Sequence, residues 1–348
     1  MSSQERPVGR SGLAILRAFA TAFRVHSLSF AVVLGMLSGG YVVQGATGVR
    51  IMHPFLKFSG ARLLPMMAIF AVYGVAWAIA VARVRSKSMP EAWRRAGVFS
   101  HARLAGVVVG TVLVLAMFDT YGQLKEAIPL LGGWTWDARL SHLDHVLHGT
   151  DPWRLLPNDP RTVVAIDYMY GAWFLVLAAT LTWYVWQRDN RRVFLAFCLT
   201  WLILGVFAAH AFPSAGPCYY KLVVGSDRYQ PLLALLDRVR PEPLMARAGQ
   251  HWLWSLHAAG YATNYTGISA FPSMHVAVPA LFALAARRWW SRLFFAAFAL
   301  MILIGSVGLG WHYAVDGETS LLAVPLIWWL SGRLLVRYPL PHHPGPED

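Results

Sequence analysis

Eight stretches of the chain are apolar for close to the length that a helix needs to cross a bilayer, roughly 20 residues. They lie at about 26 to 44, 63 to 82, 104 to 122, 162 to 186, 193 to 212, 271 to 286, 293 to 310 and 313 to 335. Each predicts a membrane-spanning helix. The run at 271 to 286 is short enough for a re-entrant path as well as a full span. The first run follows a long charged segment and has no small-residue cleavage site after it, so it reads as a signal anchor rather than a removed leader. The segment 137 to 150 differs from all of these. Its apolar residues recur at helical spacing with polar ones between them, which predicts a helix lying at the membrane surface.

Composition supports the same picture. Of 348 residues 57% are hydrophobic and 14% charged, against about a quarter charged in soluble domains. Sixteen Trp and 29 Gly fit a protein with interfacial aromatic belts and glycine-containing membrane helices. Disorder, a collagen-like fibre, a disulfide scaffold and an ordinary soluble enzyme are excluded. The fold class expected is all-α, a polytopic membrane helix bundle of about eight spans.

The net charge of +13 has to be read against that topology. With the N-terminus inside, 18 of the 30 basic residues fall on inner segments, mostly short loops at 83 to 103, 187 to 192 and 287 to 292. That is the positive-inside pattern. Both termini are therefore expected in the cytoplasm, and the two long loops, 123 to 161 and 213 to 270, outside the cell membrane. Scattered basic loops of this kind orient helices, so nucleic acid is not an expected partner; the lipid bilayer is. His142, His145 and His148 stand at steps of three, which drift round a helix, and no fourth ligand is evident. Neither a metal nor another cofactor is expected. Asp167, near the outer end of its span, is expected to be buried and hydrogen-bonded, and Trp252, Trp254, Tyr261 and Tyr265 to form an aromatic belt.

Two short stretches place polar residues where spans begin. In Phe271-Pro272-Ser273-Met274-His275 a proline sits near a helix start, where its missing N–H costs nothing. Ser273 and His275 follow within the first turn, and a helix N-terminus attracts anions. In His312-Tyr313-Ala314-Val315-Asp316 the His and Asp are four apart and share a helix face. An Asp on one imidazole nitrogen fixes the tautomer and leaves the other nitrogen free to attack. Both spans run inward, so the two motifs are expected on the same outer face.

These motifs, with His-Tyr-x-x-Asp some 37 residues after the first His, resemble the type 2 phosphatidic acid phosphatase superfamily, and within it the branch of inositol phosphorylceramide synthases and their bacterial relatives. A third stretch, Phe212-Pro213-Ser214-Ala215-Gly216-Pro217-Cys218-Tyr219-Tyr220, resembles the Pro-rich segment of that branch. The resemblance implies a six-helix catalytic core over 104–336, preceded by two extra spans within 1–103 and followed by a tail at 337–348. It implies a metal-independent enzyme acting on a membrane lipid, with His312 as the nucleophile that becomes a phosphohistidine, Asp316 orienting it and His275 as general acid and base. Ser273 would cradle the phosphate. The acceptor would be a small alcohol in a transferase, or water in a lipid phosphate or polyprenyl diphosphate phosphatase. Two departures stand out. The phosphatase branch has Arg six residues before the second His, where this chain has Ser306. It also has Lys and Arg ahead of the Pro-rich motif, which this chain lacks; Lys221 is available to substitute for them, and Lys221 and Tyr220 are expected to bind the substrate's phosphate.

Overall fold

The computed structural model describes residues 8–50, 52, 100–157, 159–187, 189–239, 244–260 and 267–340. The expected span at 63 to 82, most of the basic loop at 83 to 103, Tyr261, Tyr265 and the end of the tail lie outside the described residues.

Every regular element among the described residues is helical. α1 (Val8–Val25) and α2 (Ser27–Thr47) meet at the buried His26, and α1 packs along α3 (His101–Gly132). α3 starts where Ser100 caps its first turn, the Ser oxygen accepting from the Arg103 N–H at 3.3 Å. The short α4 (Asp137–His148) follows, a helix where the pattern at 137 to 150 predicts one. α5 (Pro160–Gly171) has Pro at its first position, and the Asp159 carboxylate accepts from the Thr162 N–H at 3.0 Å. These features start helices because the first-turn N–H groups have no partners within the helix.

α5 continues into α6 (Trp173–Trp186) to make one crossing. α7 (Arg191–Ala211) is the next span, with Trp201–Ala208 wound as a π-helix. Three short helices then cover the second long loop: α8 (Tyr220–Val224), α9 (Gln230–Arg238) and α10 (Met245–Ala258). α11 (Met274–Ala285), α12 (Trp289–Gly308) and α13 (Ala314–Arg337) close the bundle.

Six described helical segments are long and apolar enough to cross a membrane: α2, α3, the α5–α6 pair, α7, α12 and α13. α11 is apolar but has 12 residues, about 18 Å of helix, so it is shorter than the hydrocarbon core. It packs most closely on α12 and α13. Gly317 of α13 permits that approach: a Cβ there would lie 2.3 Å from Leu303 Cδ1 and 3.1 Å from Val276 Cγ2. Small residues at such crossings let membrane helices touch backbone to side chain.

The two ends of the bundle are built differently. At one, Arg287 pairs with Asp189, Arg191 donates to the Tyr338 carbonyl, and Arg192 donates to the Trp328 carbonyl with its guanidinium 4.0 Å above the Trp328 ring. The basic loops at 187–192 and 286–288 and the end of α13 therefore gather together. The other end carries α4, the Pro-rich segment and the starts of α11 and α13.

Candidate active site

α13 begins where the chain turns out of α12 through Gly310. His312 precedes its first turn, and the expected i, i+4 pair forms: His312 Nδ1 lies 3.2 Å from Asp316 Oδ2. The same carboxylate oxygen accepts from the Tyr313 N–H at 3.1 Å. Asp316 is wholly buried, and its Oδ1 has no hydrogen-bond partner among the described residues. The pair engages Nδ1 of His312 and not Nε2.

The first motif is tied directly to this helix. The Ser273 N–H donates to the Asp316 carbonyl at 3.1 Å, and Ser320 Oγ donates to the Ser273 carbonyl at 3.0 Å. Ser273 caps α11 in extended backbone, and its buried hydroxyl has no partner among the described residues. A polar atom left unpaired at a helix N-terminus is suited to receive an anion. His275, one residue into α11, brings its ring centroid to 6.2 Å from that of His312. The two rings are too far apart to bond each other and close enough for one phosphoryl group to touch both.

His275 is held by aromatic residues from the junction of α5 and α6. Its ring stacks on Tyr170 at 5.3 Å and lies 4.3 Å from Trp173, whose indole N–H donates to the His275 carbonyl at 2.9 Å. No protein group hydrogen-bonds its ring nitrogens among the described residues, so they are available for proton transfer.

α4 supplies what the sequence reading missed. Asp137 accepts from the Ala215 and Gly216 N–H groups at 2.8 Å each and from the Tyr313 hydroxyl at 2.8 Å. Two turns along, Asp144 accepts from the Ala314 and Val315 N–H groups at 3.1 and 2.9 Å. Both carboxyl groups are buried. Burial pushes each above the usual carboxylate range, and the N–H bonds hold back part of that rise. One helix face thus fastens the Pro-rich segment with Asp137 and caps α13 with Asp144. The i, i+7 spacing of the two acids was visible in the sequence; their partners, 78 to 176 residues away, were not.

The Pro-rich segment completes the wall. Ser214 Oγ accepts from the Phe271 N–H at 3.0 Å, and the Cys218 N–H donates to the Gly310 carbonyl at 2.9 Å. Gly216 has φ of 99°, and a Cβ on it would lie 2.4 Å from the Trp311 carbonyl oxygen, so the segment touches the second motif backbone to backbone. Tyr220 is buried, with its ring 5.1 Å from Tyr229, which in turn lies 5.9 Å from Tyr313. Lys221 is about half exposed and pairs with Asp227 at 2.6 Å; no described contact brings it to the two histidines. Asp167 is buried and accepts from the Met245 and Ala246 N–H groups at 2.7 and 2.9 Å, capping α10. Of the aromatic loop, Trp254 stacks on Tyr219 at 5.2 Å and Trp252 is exposed. His145 bonds Asp151, and His148 bridges the Asp144 carbonyl and Glu318.

Residues 138–330 match the family model described as the PAP2 superfamily, more than half of the 348-residue chain. The chain belongs to the PAP2 superfamily. Membership supports an activity of the phosphatase or phosphotransferase type on lipid phosphates. The matched region of this PAP2 protein opens inside α4 and closes inside α13, so it contains both histidine motifs and the Pro-rich segment. No curated protein and no solved structure matches the chain.

Proposed function

We propose that this PAP2 protein is a membrane-embedded phosphotransferase of the inositol phosphorylceramide synthase-like kind, which moves a phosphoryl-linked head group from a lipid donor to an alcohol through a phosphohistidine. The observation that carries this reading is the His312–Asp316 pair facing His275 across 6.2 Å between ring centroids. Nε2 of His312 attacks phosphorus, and the bond to the donor's leaving oxygen breaks as His275 protonates that oxygen. In the second step His275 removes the acceptor hydroxyl's proton, the acceptor oxygen attacks phosphorus, and the P–N bond breaks. The same group serves as acid and then base. Asp316 holds Nδ1 and stabilises the imidazolium; the Ser273 hydroxyl and the first N–H groups of α11 receive the phosphoryl oxygens.

The choice of donor follows from charge. A phosphate monoester has a second pKa near about 6 and is largely a dianion at neutral pH, whereas a diester carries one charge. Ser306 stands where the phosphatase branch has Arg; it is fully buried, and its hydroxyl donates to the Leu303 carbonyl at 2.8 Å. Each charge-assisted hydrogen bond contributes on the order of 1.5 to 3 kcal/mol, and the loss weighs more on a dianion. Phosphodiester lipids are therefore the favoured donors, with a polyol such as inositol as acceptor. We put the reaction at the outer face of a cell membrane with both termini cytoplasmic, and the clustering of basic loops at the opposite end of the bundle supports that orientation.

Purified protein offered phosphatidic acid or a phosphodiester lipid, each with and without inositol, tests the reading. Alcohol-dependent head-group transfer from the diester is expected, and His312→Ala abolishes it. Release of inorganic phosphate from phosphatidic acid, unaffected by any alcohol, would overturn it in favour of a hydrolase. Orientation is tested separately: an impermeant thiol reagent on intact cells should reach a cysteine at position 226 and miss one at 189.

A further inference from the structure

The proposed reaction brings a phosphate anion to a place crowded with acids. Asp137, Asp144 and Asp316 are all buried within two turns of the start of α13 or bonded to its flanks. They bring acceptors, not donors, to that end of the bundle. The cations nearby are spoken for: Arg247 forks onto Asp237 and reaches Gln250, Arg228 binds Asp151, and Lys221 binds Asp227. Arg139 of α4 lies 4.8 Å over the Trp136 ring, and Lys125 of α3 has no hydrogen bond or ion pair to its ammonium among the described residues.

Lys125 lies near the motif end of α3, about 36 Å along the helix from His101. Its side chain runs against the strand of loop that leads into the first motif: a Cβ on Gly267 would lie 3.0 Å from Lys125 Cγ and 2.9 Å from its carbonyl carbon. From Gly267 the chain passes Ile268, whose carbonyl accepts from the Trp134 indole at 3.0 Å, and reaches Ser273 and His275. The ammonium lies within electrostatic reach of the His275 ring and of the neighbouring Glu126.

From this placement we infer that Lys125 is a substrate-binding residue of the site, whose ammonium supplies the counter-charge to the donor's phosphodiester beside His275. The inference rests on the phosphotransferase reading for the identity of its ligand. It assigns a role to a residue that precedes the matched region 138–330 and has no place in any of the three motifs. One ammonium matches the single charge of a diester, which deepens the donor preference: the cation that this chain uses comes from α3 and not from Lys221.

The full chain in detergent, wild type and as Lys125→Met, Lys125→Gln, Lys125→Arg and His312→Ala, provides the test. Two readouts are needed: the dissociation constant of inorganic phosphate, followed by thermal shift, and head-group transfer from a phosphodiester lipid to inositol. Lys125→Met and Lys125→Gln should weaken phosphate binding and lower kcat/KM about 10- to 100-fold, the size of one charged hydrogen bond. Melting and elution should stay near wild type, and Lys125→Arg should recover most of both losses. Wild-type phosphate affinity in folded Lys125→Met would overturn the assignment even if His312→Ala is inactive. An active His312→Ala would instead overturn the phosphohistidine reading; the binding constants would still decide the role of Lys125, because they do not depend on turnover.

Discussion

The two ends of this bundle both place charged side chains between helices, but in opposite ways. At the basic end the Arg287–Asp189 pair is mostly exposed, each side chain more than 70% accessible. At the motif end Asp137, Asp144 and Asp316 are buried and bond chiefly to backbone N–H groups. Exposed pairs sit in a high dielectric and contribute about 0 to 1 kcal/mol. A buried carboxylate is costly to desolvate, and once its bonds are in place removing it strands the N–H groups it served. The first kind of contact leaves loops free to vary. The second fixes the backbone around two histidines, at a cost in stability that only a function would justify.

The comparison is broken most severely at Asp316. Asp316→Asn keeps the shape and can still accept from the Tyr313 N–H, but it offers His312 Nδ1 an amide where a carboxylate stood. The imidazole is then held in the wrong tautomer and its positive charge is not balanced. Turnover is expected to fall on the order of 10³- to 10⁴-fold, with circular dichroism and melting temperature close to wild type. A rate within tenfold of wild type would remove Asp316 from the mechanism.

Asp144 comes next, because its role is mainly architectural. Asp144→Ala leaves the Ala314 and Val315 N–H groups buried without acceptors. The loss of folding stability is expected at about 2 to 4 kcal/mol, seen as a fall in melting temperature in detergent. Asp144→Asn keeps one acceptor oxygen and should lose about half as much. Equal melting of both variants with wild type would show that α4 is not what holds the start of α13.

Much of this arrangement was legible along the chain. The spacing of His312 and Asp316 predicts their bond, the apolar runs predict the spans found at α2, α3, α7, α12 and α13, and the pattern at 137–150 predicts α4. What local spacing cannot show is a contact between distant residues. Asp137 and Asp144 looked like the polar face of a surface helix, yet that face is the buried one. Lys221 follows the Pro-rich segment in the chain, but its place in the sequence says nothing about the direction of its side chain. Lys125 falls three residues past the apolar run at 104 to 122, in the long outer loop of the sequence reading, where nothing along the chain ties it to the two histidines.

His148 links the two kinds of contact, since it is partly exposed and yet touches Asp144. Burial opposes its charge, but the bonds to the Asp144 carbonyl and the Glu318 carboxylate outweigh that and raise its pKa above 6.5. A histidine with a raised folded-state pKa contributes stability that is fully present below its unfolded value and is lost as pH rises through the folded one. The melting temperature of wild type should therefore exceed that of His148→Gln below about pH 6.5, and the gap should close on going to alkaline pH. A gap that widens with pH would mean that His148 acts in its neutral form.

The smallest effect belongs to the basic end. Arg287→Ala removes a guanidinium that is about three-quarters exposed, 74%, from an Asp189 that is 80% exposed. Both groups return to water when the pair is cut, so neither is stranded. The change in stability is expected below about 1 kcal/mol, and wild type should itself lose any such difference at 1 M salt, where the screening length falls to about 3 Å. Head-group transfer should stay at the wild-type rate, because nothing at that end touches the histidines. A loss in Arg287→Ala as large as that in Asp144→Ala, and resistant to salt, would mean that the two ends are built on the same principle after all.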